Sequence, residues 1–150
     1  MGTRNFLLSL VAGLTLVFPA AGLAEKKDGP WRFHGVIVHG CHDGDTCTVT
    51  LRGRHPLFGR NARVRLLGID APETGGRAKC VRERELGLKA KEMLLALLTG
   101  AERVNLVGVL KMDSFGRILG RLTADGVDVG ARLIRAGLAR AWKERARGWC

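Results

Sequence analysis

The order of apolar runs predicts an α+β fold: a five-stranded OB-fold-type β-barrel with two to three packed helices. Three observations lead there. Five short runs mix apolar and polar residues in the manner of strands, and Asp-Gly turns, a Gly- and Arg-bearing loop and an Ala-Pro break separate them. The apolar period lengthens to about 3.6 residues in two places only. A chain of 150 residues has room for one such domain. An open α+β sheet satisfies the same order and is the alternative.

The first 24 residues read as an export signal. Arg4 is the positive start, residues 6–18 are apolar, Pro19 breaks the run, and Gly22-Leu23-Ala24 offers small residues to a signal peptidase. The rival is an uncleaved membrane anchor, although the strictly apolar core is short against the ~20 residues a span needs. With cleavage after Ala24, residues 25–150 form the domain, ending in a short basic tail, in a periplasmic or extracellular location.

Residues 31–42 read as the first strand, with Phe33, Val36 and Val38 as its apolar positions. Asp43-Gly44 is a hairpin signal, and 46–51 is the return strand. Residues 52–61 read as a loop. Residues 62–69 read as a third strand entering the core, ended by Ala71-Pro72-Glu73 because proline lacks a ladder donor. Over 80–98, Leu86, Ala90, Met93 and Leu97 recur at helical spacing, and Thr99-Gly100 stops the helix. Residues 103–110 and 118–123 read as the last strands, with turns at 113–116 and at Asp125-Gly126. Asp128 can cap a helix over 129–136, with Gly137 beyond its end. Residues 139–150 read as a basic tail carrying Trp142 and Trp149.

The formal net charge of +11 favours an anionic partner such as nucleic acid, anionic lipid or glycan. Four cysteines, Cys41, Cys47, Cys80 and Cys150, include no Cys-x-x-Cys pair, which argues against a zinc ribbon or a thioredoxin-like site. Export makes disulfides plausible. The turn between Cys41 and Cys47 should place them on adjacent strands, which favours that pair and leaves Cys80 with Cys150. A metal cluster of His39, Cys41, His42 and Cys47 is the weaker reading, because in a strand His42 points away from His39 and Cys41.

Asp43-Gly44-Asp45-Thr46 carries one acid more than a tight turn needs, and two nearby carboxylates repel unless one is protonated or a cation sits between them. Arg65 and Asp70 flank Leu66, Leu67 and Ile69, and in a strand 65, 67 and 69 share one face while 66, 68 and 70 share the other. Pro72 then holds Glu73 just past the strand end. Arg117 follows Phe115-Gly116 at a turn. Arg63 and Arg121 are expected to be ordinary surface charge.

These motifs, in the order Asp-Gly-Asp-Thr, Val-Arg-Leu-Leu-Gly-Ile-Asp-Ala-Pro-Glu, Phe-Gly-Arg and Ala-Gly-Leu-Ala, resemble the thermonuclease (staphylococcal nuclease-like) domain family over about residues 36–139. The resemblance implies a calcium-dependent phosphodiesterase acting on DNA and RNA, monomeric and without a stable protein partner. It implies that Asp45, Asp70 and the Ala71 carbonyl hold Ca2+, that Arg65, Glu73 and Arg117 are catalytic, and that Asp43 and Thr46 support them. The chain has no tyrosine, so Phe115 and Trp142 would supply the faces that stack on substrate. Ala71 stands where the family usually has threonine. Two readings compete with a nuclease: a non-catalytic nucleic-acid-binding module on the same barrel, and a basic envelope protein. Retention of all five charged site residues opposes the first, since acids without a metal would repel a polyanion.

Overall fold

Glycine decides where the expected strands end. The computed structural model describes residues 31–150, so the expected signal and the lead-in over 25–30 lie outside the described residues. In chain order the elements are β1 (Trp31–Phe33), β2 (Ile37–Cys41), β3 (Thr46–Thr50), α1 (Pro56–Gly59), β4 (Ala62–Leu66), β5 (Ile69–Asp70), α2 (Val81–Thr99), β6 (Val104–Met112), β7 (Ile118–Ala124), β8 (Val127–Asp128), α3 (Val129–Arg135), β9 (Arg140–Ala141) and a 3-10 helix (Trp142–Arg147).

The run over 31–42 is two strands, not one. Gly35 between them has φ +62°, a left-handed conformation that costs a residue with a Cβ. Before that point the chain pairs with β6, and after it with β3. Val36 N still donates to Val104 O at 2.8 Å, so the run touches both neighbours in passing. The third expected strand also breaks. Gly68 at φ +83° turns the chain after Leu66, and Ile69-Asp70 leaves the main sheet to pair with Arg140-Ala141. The face alternation expected through residues 65–70 therefore stops at Leu66.

The result is a mixed sheet in the order β1-β6-β7-β4-β3-β2, with β8 added on β7 and β5-β9 as a separate pair. Its ladders are antiparallel except β4 with β7, which runs parallel. The loop expected over 52–61 contains α1, started by Pro56 at its first turn. The segment expected as a basic tail carries β9 and the 3-10 helix.

Val49, Val64, Leu106 and Leu122 from the sheet meet Leu94 of α2 and Val129 and Leu133 of α3 in a fully buried core. Each such side chain contributes roughly 1.5–3 kcal/mol by leaving water. The buried stripe of α2 is Glu83, Gly87, Ala90, Leu94 and Leu98. Sequence periodicity instead marked Leu86, Ala90, Met93 and Leu97, of which only Ala90 is buried. The helix is apolar on several sides near its end, so hydropathy alone rotates the face, and the inward Glu83 and Gly87 are invisible to it. Glu83 is satisfied: Lys79 N donates to its Oε2 at 2.7 Å, and its own N–H donates to Sγ of the N-cap Cys80 at 3.4 Å.

Candidate active site

The Asp43-Gly44-Asp45-Thr46 turn is built as a cap. Asp43 Oδ1 accepts from Asp45 N at 3.0 Å, and Asp45 O accepts from Leu66 N at 2.7 Å, which stitches the turn to the end of β4. Gly44 is here for space: a Cβ on it would lie 2.6 Å from Ala90 Cβ and 2.8 Å from Ala71 Cβ. The turn thus presses against α2 on one side and against the Ala71 strand end on the other.

Asp45 is 6% exposed and is the hub of the cluster. Its Oδ2 accepts from Ala71 N at 3.0 Å and pairs with the Arg65 guanidinium at 3.0 Å, while Oδ1 accepts from Thr46 Oγ1 at 3.0 Å. Burial pushes its carboxyl up to about 7, and the neighbouring Asp43 adds to this against the opposing pull of Arg65 and the Ala71 N–H. Arg65, rooted in β4, also donates through NH1 to Leu66 O at 2.7 Å and Ile69 O at 3.0 Å, and its guanidinium lies 5.4 Å from the Trp142 ring centroid.

Arg117 is held by Asp113. Asp113 Oδ2 accepts from Arg117 Nε at 2.8 Å, and Oδ1 accepts from the backbone N–H groups of Arg117 and Phe115 at 2.9 and 3.0 Å. Partial burial pushes the Asp113 carboxyl up, but these hydrogen bonds and the Arg117 charge together hold it below its ordinary value. Phe115 is 69% exposed, with the Arg117 guanidinium 5.3 Å from its ring centroid.

Two cavities flank Arg117. The larger, about 400 Å³, is lined by the apolar Leu66, Leu67, Ile69 and Leu119 together with Arg65, Arg117, Asp113 and Trp142. The smaller, about 220 Å³, is lined by His42, Asp43, Thr46, Arg63, Arg77, Phe115 and Arg117. An apolar lining that also holds cations suits a flat ring carrying an anion.

Asp45, Ala71 and Arg65 are thus in direct contact, and Arg65 and Arg117 face one cavity. Asp70 and Glu73 have side-chain partners of their own outside that cluster: Asp70 Oδ2 accepts from Trp149 Nε1 at 3.3 Å, and Glu73 pairs with Arg77 at 3.1 Å. Among the described residues, no group of three or more His, Cys, Asp or Glu side chains gathers to hold a metal ion. An ion here would rest on two carboxylates, a backbone carbonyl and water, an all-oxygen donor set that calcium accepts.

Arg63 is exposed, as expected, and in addition it donates to Phe115 O at 2.7 Å and lines the smaller cavity. Arg121 is half-buried and pairs loosely with Asp128 at 3.7 Å. Both favoured disulfides, Cys41–Cys47 and Cys80–Cys150, are present. That removes the sulfurs from any metal cluster, and His39 and His42 bond Thr50 and Thr48 instead. Sequence reasoning missed Arg77, Trp149 and the role of Asp113. Only the last left a local signal, an aspartate opening the turn that ends in Gly116-Arg117.

A family model described as Staphylococcal nuclease homologue matches residues 63–148. Among curated proteins, the chain is 34% identical over 83 residues to "Probable staphylococcal-like nuclease CAN1" of Oryza sativa subsp. japonica, across 55% of this chain and 22% of that protein. It is 28% identical over 103 residues to an "Uncharacterized 38.1 kDa protein" of Capnoides sempervirens, across 61% of this chain and 28% of that one. The chain therefore matches about a quarter of the length of these relatives.

Proposed function

The chain belongs to the staphylococcal nuclease homologue family, and from that premise we propose that it is an exported, calcium-dependent nuclease that hydrolyses phosphodiester bonds of DNA, RNA or both. The observation that carries this reading is the pair of arginines, Arg65 and Arg117, lining one largely apolar cavity, with Arg65 joined to a buried carboxylate.

In this reading the larger cavity receives a nucleoside, its ring against Leu66, Leu67, Leu119 and Trp142. Arg65 and Arg117 donate paired hydrogen bonds to the phosphate, and these strengthen as charge builds on the five-coordinate phosphorus. Asp113 keeps Arg117 in one orientation, so the guanidinium does not have to be ordered during the reaction. Glu73 orients the attacking water and takes its proton, released from Arg77 when the cationic side chain turns to a substrate phosphate. Asp45, Asp70 and the Ala71 carbonyl would hold the calcium ion, which when bound withdraws charge from the phosphodiester. Arg63 and Arg77 add positive charge along the path of a polymeric anion.

The same reading includes a closed barrel, with the bent run β1–β2 bridging β6 and β3 to complete five strands. It also includes a monomer, and cleavage of the signal after Ala24, which mass spectrometry of the exported N-terminus would check. Incubation of the purified protein with plasmid DNA, single-stranded DNA and RNA, in calcium and then in chelator, tests the reaction. Degradation in calcium that stops in chelator is the expected result. Degradation indifferent to chelator would remove the ion from the mechanism, and none under any divalent ion would leave a binding module.

A further inference from the structure

We infer that Trp149 is a positioning residue for the Asp70 carboxylate, and that residues 140–150, closed by the Cys80–Cys150 disulfide, act as a strap that completes the ion site. The inference depends on the ion site proposed above.

The residues of that site are not anchored alike. Arg65 lies in β4 of the large sheet, and Asp45 lies in the turn immediately before β3 of the same sheet. Asp70 lies in β5, a two-residue strand whose ladder partner is β9, at the start of the strap. A ladder that short is marginal by itself. The main chain either side of Asp70 is tied to the sheet side, by Arg65 to Ile69 O and by Asp45 to Ala71 N. Its side chain accepts at Oδ2 from the indole N–H of Trp149, 3.3 Å away and 79 residues on in sequence.

Trp149 is itself fixed on several sides. The Arg140 guanidinium lies 3.5 Å from its ring centroid, and Arg140 NH1 donates to Gly148 O at 2.6 Å. The next residue, Cys150, is bonded to Cys80, the N-cap of α2. At the other end of the strap, Trp142 N donates to Gly68 O at 2.9 Å. The strap is therefore held at both ends, and between them it delivers one hydrogen-bond donor to a carboxylate oxygen. A donor fixed in this way restricts the carboxylate to one orientation, as partners behind metal ligands do, and losing such a partner typically weakens metal binding about 10–100-fold.

The test is calorimetric titration of calcium into the chelator-stripped full chain, beside its melting temperature without metal. Four proteins are compared: wild type, Trp149→Phe, Trp149→His and the double variant Cys80→Ser/Cys150→Ser. The expected result is a Trp149→Phe melting temperature close to wild type with calcium affinity about 10-fold weaker. Trp149→His, which restores a ring N–H, regains part of the affinity, and the double variant shows at least the Trp149→Phe loss. Turnover of Trp149→Phe returns close to wild type at saturating calcium, so the defect lies in ion occupancy and not in kcat. Wild-type affinity in Trp149→Phe, or equal loss in Trp149→Phe and Trp149→His, would overturn the inference and leave the proposed nuclease standing. Absence of calcium binding in wild type would overturn both.

Discussion

At the scale of single residues, the site is a set of charges whose partners are chosen. Asp45 shows what burial does to a carboxylate even when it is paired. Its carboxyl is raised from 3.8 to about 7, so the native state binds this proton more tightly than the unfolded chain does. Stability of the metal-free protein should then fall as pH rises from about 4 to about 7. In chelator, the melting temperature of wild type should drop across that window more than that of Asp45→Asn, and added calcium should restore it near pH 7.5. Parallel profiles for the two proteins would refute the assignment. Arg65→Ala and Arg117→Ala should each lower kcat by about 10²–10³-fold, as expected for donors used in the transition state. Arg65→Ala should also lower the melting temperature, because it leaves the buried Asp45 and the Leu66 and Ile69 carbonyls without their cation. Asp113→Asn should act through Arg117, lowering kcat about 10-fold, because a charge-assisted bond worth ~1.5–3 kcal/mol no longer fixes the guanidinium. Single-turnover rates would show whether chemistry is the step affected. Of these residues, Asp45, Arg65 and Arg117 were legible as types in sequence. The involvement of Arg63 was not, since an arginine pointing at a carbonyl 52 residues away carries no local mark.

At the scale of elements, small residues set how closely parts approach. Gly87 lies on the buried stripe of α2, and a Cβ there would come 2.6 Å from Glu73 O and 2.7 Å from Pro72 O. The helix therefore carries the main chain of Glu73 directly. Gly87→Ala gains about 1 kcal/mol of helix propensity but must displace backbone, and overpacking of this kind costs ~1–3 kcal/mol. The second effect should win: melting temperature falls, and kcat falls with it because Glu73 moves. A higher melting temperature with unchanged kcat would show that residues 72–73 yield freely. Element existence was readable from period and turn residues. The breaks at Gly35 and Gly68 were not, because a glycine in a strand-like run looks the same whether it is extended or left-handed.

At the scale of the whole molecule, the two disulfides differ in reach. Cys41–Cys47 spans a sequence separation of 6 and Cys80–Cys150 one of 70. In the chain-entropy account the short loop contributes about 2 kcal/mol and the long one about 4 kcal/mol. Cys80→Ser/Cys150→Ser should therefore melt several degrees below Cys41→Ser/Cys47→Ser in metal-free buffer, and the reverse order would contradict the account. The sequence favours this pairing among three without fixing it, because the hairpin brings Cys41 beside Cys47 and leaves Cys80 with Cys150; the structure shows both bonds.

The sequence alone determined what local chemistry encodes. Alternation and period placed strands and helices, Asp-Gly and Pro signals placed the turns, and the ordered acids and arginines identified the family. Tertiary structure decided what depends on distant segments meeting: the departure of Asp70 from the main sheet, the grip of Trp149 on its carboxylate, the Gly87 seat under Glu73 and the entry of Arg63 into the site. The reason is physical. Backbone propensities and hydrophobic periods act over a few residues and leave a trace in the string. A contact between residues far apart in the chain depends on how the packed elements bring them together, and that is not written at either position.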